Sequence, residues 1–200
     1  MRIRSILTAF LAATASCSVE ERRPAASDTS RPETNATSAR PDTASPSTPK
    51  ATTTNWTVTP DGIGAIRAGM RVDELSRVAG DVRAANASAE CSYVHPSAAP
   101  HGVMIMLARG QVARVDVDSA GVMSDAGVAV GDSAARVTDA YAGRVTATPH
   151  KYVPGGQYLT VRPVPPADSP HRMVFETENG RVTRFRSGRV PEVEWVERCG

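Results

Sequence analysis

Aromatic side chains are scarce in this chain: two tryptophans, four tyrosines and three phenylalanines in 200 residues. Tight interfaces centre on Trp, Tyr and Arg, so this supply argues against an aromatic-lined recognition groove. An excess of one charge is missing too. Residues 1–54 hold seven Lys and Arg against five Asp and Glu, whereas residues 55–200 hold sixteen of each, so the formal +2 belongs to the N-terminal part. A neutral folded part lacks the basic field that draws nucleic acid, and no nucleic-acid partner is expected.

Recognisable catalytic spacings are also absent. His95, His101, His150 and His171 fall in Pro-rich stretches and follow none of the spacings of metal ligands. Gly62-Ile-Gly64 precedes a helical pattern, but Arg67 stands where a dinucleotide loop needs its third glycine, and no βαβ unit follows. Asp118-Ser119-Ala120-Gly121 lacks the leading glycine of a nucleophile elbow, and nothing marks a His partner. No pair of carboxylates stands out. The expectation is a protein that is not an enzyme, with no catalytic, cofactor-binding or metal-binding residues.

The apolar run from Ile6 to Ala13 is too short to span a bilayer stably. With Arg2 and Arg4 ahead of it, the run reads as an export signal over residues 1–17. Two kinds of processing fit. Ala13-Thr14-Ala15 suits ordinary signal cleavage before Ser16, and Ala15-Ser16-Cys17 resembles a bacterial lipobox, with Thr14 in place of the usual Leu. In the lipobox reading Cys17 is acylated and anchors the chain to a membrane of the cell envelope, facing the periplasm or the surface. Residues 18–55 are rich in Ser, Thr, Pro and Ala and carry too little apolar surface to offset the entropy of ordering. They should act as a tether with a reach of roughly 35 Å or more. The sequons at Asn35, Asn55 and Asn86 are taken as coincidental beside a bacterial signal.

The folded part begins near Trp56 and is organised by two hairpin patterns. Val103 to Val117 turns at Arg109-Gly110, and Met173 to Phe185 turns at Asn179-Gly180. Asn-Gly between strand-like runs favours a hairpin because both turn residues must accept positive φ. Val72, Leu75 and Val78/Ala79 share one helical face, as do Ala134, Val137 and Ala140/Tyr141 behind the capping pair Asp132-Ser133. Ile66-x-x-Gly69 aligns with Val128-x-x-Gly131, and Gly110 with Gly180, the pattern of a diverged duplication. The expected class is α+β. Two tandem helix-plus-antiparallel-hairpin units, at residues 56–120 and 121–200, would form one-sided sheets with helices packed on one face.

Ile66-x-x-Gly69-Met70, Glu74-Leu75, Gly80, Tyr93-Val94 and Gly110-x-Val112 resemble the SmpA/OmlA-type small lipoproteins of the bacterial outer-membrane assembly machinery. Two such units in tandem resemble the arrangement of the β-lactamase inhibitory protein family. The likeness spans about 62–186 and rests on fold-forming motifs, so it implies architecture more than function. Members of the inhibitor family have a disulfide within each unit and an aromatic-rich concave sheet, whereas this chain has one cysteine per unit and few aromatics.

With Cys17 acylated, Cys91 and Cys199 remain as a pair in an oxidising compartment, and a bond between them would tie the C-terminal tail to the first unit. Alternation turns Arg114 and Arg184 away from the apolar face, where they join Arg186, Glu176 and Tyr158 on a candidate partner-binding face. Cross-strand ion pairing on a solvated face is the simpler account of the same charges. The expected function is a lipid-anchored, monomeric, non-enzymatic binding or scaffold module of the envelope, with an envelope protein as partner. The alternative is a secreted inhibitor of a periplasmic or extracellular hydrolase.

Overall fold

The computed structural model describes residues 55–87, 90–164 and 169–199, all within one compact unit, Lys50–Gly200. The export segment, Cys17 and the tether up to residue 54 lie outside the described residues. Three short strands, β1 (Val58–Thr59), β2 (Gly62–Ile63) and β3 (Ile66–Arg67), pair as a small antiparallel sheet. Helix α1 (Val72–Ala79) follows, with Leu75 and Ala79 buried and Val72 and Val78 at its flanks. The Glu74 carboxylate accepts the free N–H of Arg71 at 2.8 Å, which satisfies one donor of the helix start. Four strands come next: β4 (Val82–Ala87), β5 (Cys91–Pro96), β6 (Val103–Ala108) and β7 (Gln111–Val117). Helix α2 (Ala134–Ala140) starts at Ser133, whose hydroxyl accepts the Arg136 N–H at 3.1 Å, as the capping pair predicts. The strands β8 (Val145–Pro149), β9 (Gln157–Val161), β10 (His171–Glu178) and β11 (Arg181–Arg189) complete the set, ahead of a 3-10 helix, Glu192–Glu194.

All eight longer strands join one antiparallel sheet in the order β4-β5-β6-β7-β11-β10-β9-β8. The two expected hairpins form: Arg109 and Gly110 take φ of 50° and 74°, and Asn179 and Gly180 take 50° and 72°. Positive φ at both turn positions matches the right-handed twist of the flanking strands. β7 pairs with β11 from Val117↔Phe185 to Arg114↔Gly188. Gly188 is required there, because a Cβ would sit 2.3 Å from the Ala113 carbonyl oxygen and 2.8 Å from the Arg114 Cα.

The expected α+β class, with two tandem helix-plus-antiparallel-hairpin units, is overturned. The described residues are mostly β. Among them the two helices have eight and seven residues, four strands follow each, and the eight strands are one sheet. Hydrophobic periodicity misses β4 and β8 because they are the outermost strands. Val-Arg-Ala-Ala-Asn-Ala and Val-Thr-Ala-Thr-Pro carry little of the apolar alternation of a strand that faces a core. The sheet is not one-sided either. On one face Ile105, Val115, Val117, Leu159, Met173, Phe175 and Phe185 pack with Leu75, Val137 and the small sheet's Val58, Ile63 and Ile66. On the other, Val193 from the C-terminal segment packs against Tyr158 and Val174.

Candidate functional site

Alternation along β7 sends Val115 and Val117 into the core and Arg114 and Asp116 to the opposite face. The Arg114 guanidinium is 2% exposed and donates from each of its nitrogens. Nε and Nη2 hold the Asp116 carboxylate at 2.8 and 2.7 Å, and Nη2 also reaches the Tyr93 hydroxyl at 2.8 Å. Nη1 donates to the main-chain oxygens of Glu192 at 3.1 Å and Trp195 at 2.8 Å. Tyr93 in turn donates to Asp116 at 3.0 Å. All five guanidinium donors are thus matched, the condition under which burying a charge is tolerated.

A second group lies on the same face. The buried Glu176 carboxylate is contacted by Arg186, by Arg184 at 3.1 Å and by His150 Nε2 at 3.4 Å. Arg186 donates from Nε to the Val193 carbonyl at 2.7 Å and lies over the Tyr158 ring. The His150 and Tyr158 rings stack with centroids 4.4 Å apart. Two arginines therefore grip the C-terminal segment by three main-chain carbonyls, and the Cys91–Cys199 disulfide fastens it covalently, 108 residues apart in sequence. Residues 190–199 form a strap across the sheet.

Electrostatics follow from this enclosure. Burial raises the Tyr93 hydroxyl pKa, and the Asp116 charge raises it further. Desolvation pushes Arg114 down, but its hydrogen bonds and charge pairing with Asp116 outweigh that and leave it raised. Arg186 is lowered, first by desolvation and then by the like charge of Arg114. Tyr93 stays protonated at neutral pH and acts as a hydrogen-bond bridge, not as a base. Among the described residues no group of three or more His, Cys, Asp or Glu is placed to hold a metal ion. Also among them, no helix is long and apolar enough to cross a membrane.

The five residues expected on a partner-binding face are together, but the face is not open. Arg114, Tyr158, Glu176 and Arg186 are buried beneath the strap, and only Arg184 is half-exposed. Cross-strand pairing occurs, as Glu176↔Arg184, but around a buried carboxylate and not on a solvated surface. Sequence reasoning missed Tyr93, Asp116, His150 and Glu192. Asp116 was legible, two residues beyond Arg114 on an alternating strand. The others depend on where an aperiodic tail lies. The accessible parts are the strap's borders. One cavity of about 210 Å³ is lined by His150, Tyr152, Glu176, Glu178, Arg184 and Val196. Another of about 250 Å³ lies among Thr148, Tyr158, Thr160, Val174, Arg186 and Val196. Tyr152, in the first, is 57% exposed, Trp195 within the strap is 40% exposed, and the Tyr152 hydroxyl and Lys151 ammonium both meet Glu197.

No family model matches this chain, and no curated protein does. Among solved structures it is similar to the uncharacterized protein yfeY from Escherichia coli, at 12% identity and a TM-score of 0.43, over 66% of this chain and 99% of that one. At that distance, function has to be argued from this chain's own residues.

Proposed function

We propose that this is an exported, lipid-anchored, non-enzymatic protein of the bacterial cell envelope that acts as a protein-binding or scaffold module. The observation that carries the reading is the cysteine arrangement. Of three cysteines, Cys91 and Cys199 are bonded to each other, which suits an oxidising compartment, and the third, Cys17, directly follows an export-type signal. The resemblance to assembly-lipoprotein motifs points the same way. Binding is assigned to the strap border, where Tyr152, Trp195 and Arg184 leave exposed the residue types that dominate interface energetics.

Intact-mass spectrometry of the mature protein from its own envelope tests the anchor. The expected mass carries diacylglycerol or more on Cys17, with two thiols that alkylate only after reduction. A lipid-free chain starting at Ser16 would overturn the anchor and favour the secreted-inhibitor reading. For the binding role, a defined envelope partner should be retained by the native chain and lost by the Tyr152→Ala/Trp195→Ala double variant. Stoichiometric capture of a hydrolase instead would replace the scaffold reading.

A further inference from the structure

The two buried arginines under the strap differ in how fully their donors are used. Arg114 has all five matched. Arg186 is just as enclosed, at 3% exposed, yet it makes two hydrogen bonds: Nε donates to the Val193 carbonyl and Nη1 to the Glu176 carboxylate. Both N–H groups of Nη2 and one of Nη1 therefore find no acceptor among the described residues. An enclosed guanidinium with three unmatched donors is costly unless something beside it accepts from them. Nη2 is not sealed in, because the Ser187 hydroxyl is the only described side-chain atom that is both fully buried and unpartnered. The space beside Arg186 is the cavity of about 250 Å³, which Arg186 lines. Register places Thr160 opposite Val174 and Val174 opposite Arg186, one row across the strap face, with Thr148 opposite Tyr158 in the next. The Thr148 and Thr160 hydroxyls border the cavity and are free of hydrogen bonds among the described residues, while Val174, Val196 and the Tyr158 ring give it apolar walls.

We propose that this cavity is a binding site for a small monocarboxylate with a short apolar chain, held by Arg186 together with the hydroxyls of Thr160 and Thr148. The charges set the sign of the ligand. Arg114 is paired with Asp116, whereas Arg184 and Arg186 share the one Glu176 carboxylate, so these five groups leave one positive charge unmatched. They also set its size of charge. Glu194 lines the cavity from the strap and is exposed, so a dianion such as phosphate would meet Glu176 and Glu194 as like charges and leave the apolar walls unused. A carboxylate matches the planar guanidinium, and a charge-assisted bond of that kind is roughly twice as strong as a neutral one. Its oxygens would accept from Nη2 and from the two hydroxyls, with the chain laid along Val174 and Val196. Desolvation and the like charge of Arg114 hold the Arg186 pKa down, a strain that a bound carboxylate relieves. The space is at the lower limit for a small-molecule site, which suits an acid of a few carbons. The site does not rest on the lipid anchor or on a protein partner.

Titration of the oxidised full chain carrying Cys17→Ser with sodium butyrate, followed by amide and methyl NMR, reads the site directly. The expected result is saturable binding with a dissociation constant of roughly millimolar or below, and shifts concentrated at Thr160, Val174 and Val196. Butyramide, which has the same shape without the charge, should bind about tenfold more weakly or worse, and inorganic phosphate should not displace butyrate. Thr160→Val keeps the shape, removes one donor and should weaken binding by about threefold to tenfold. Arg186→Lys should weaken it further, but that variant also loosens the hold on Val193. Val196→Phe fills the cavity from the strap without touching Arg186 and should abolish binding, which keeps the test valid should Arg186→Lys unfold. A flat titration, as from a cavity that holds water alone, overturns the proposal. So does equal binding of butyramide, displacement by phosphate, or butyrate binding unchanged in both Thr160→Val and Val196→Phe.

Discussion

Arg114 is the residue on which the strapped face depends, because its five donors tie Asp116, Tyr93 and the strap's main chain into one network. Arg114→Met should destabilise the protein by about 3–5 kcal/mol in urea denaturation, because Asp116 is left buried without its counter-charge. Arg114→Lys should recover only a minor part, since an ammonium cannot reproduce the planar fork. Tyr93 adds a pH dependence. Its folded pKa is raised above the ordinary value of about 10, so its contribution is complete below pH ~10 and is lost as pH rises through the folded value. Stability should therefore fall steeply above pH ~10 and less steeply in Tyr93→Phe, which starts from a lower value. Tyr141, raised by burial and by its bond to Asp125, should leave part of the slope in that variant. Ser187 is the opposite case. Its buried hydroxyl has no hydrogen-bond partner among the described residues, so Ser187→Ala should be neutral or stabilise by up to about 1 kcal/mol. Alternation made it legible which way Arg114 points. It could not reveal burial, because burial comes from a segment with no periodicity.

Among the elements, those with strong local chemistry were readable. Ser133 caps α2, and the turns Arg109-Gly110 and Asn179-Gly180 stand where positive φ was required. β4 and β8 were not readable, because an outermost strand is held by main-chain bonds that leave little trace in side-chain pattern. The strap was readable only at Cys199. Its hold is part covalent and part main-chain, which yields a separable prediction. Cys199→Ser should lower stability by up to roughly 4–5 kcal/mol, the limit set by closing so long a loop. Hydrogen exchange should rise first across residues 190–199 and only later in β7 and β11. Uniform exchange across the sheet would mean that the arginine contacts hold nothing without the bond.

At the scale of the whole molecule, the β7–β11 pairing makes one sheet of strands that follow α1 and strands that follow α2. Cys17→Ser should abolish tight, salt-insensitive partition into membranes, as read by fractionation; unchanged partition would remove the anchor from the reading. Charge balance over residues 55–200 was legible at this scale. The single sheet was not, since it depends on pairings between residues some seventy positions apart. The disulfide also sets the mechanics. Load applied from the N-terminal side first meets β1, β2, β3, α1 and β4, all of which precede Cys91. Everything between Cys91 and Cys199 is inside a covalent loop and cannot lengthen the pulled chain. Stretched between its ends, the oxidised protein should withhold roughly 390 Å of contour length, at about 3.6 Å per residue over a sequence separation of 108, and yield it only after reduction.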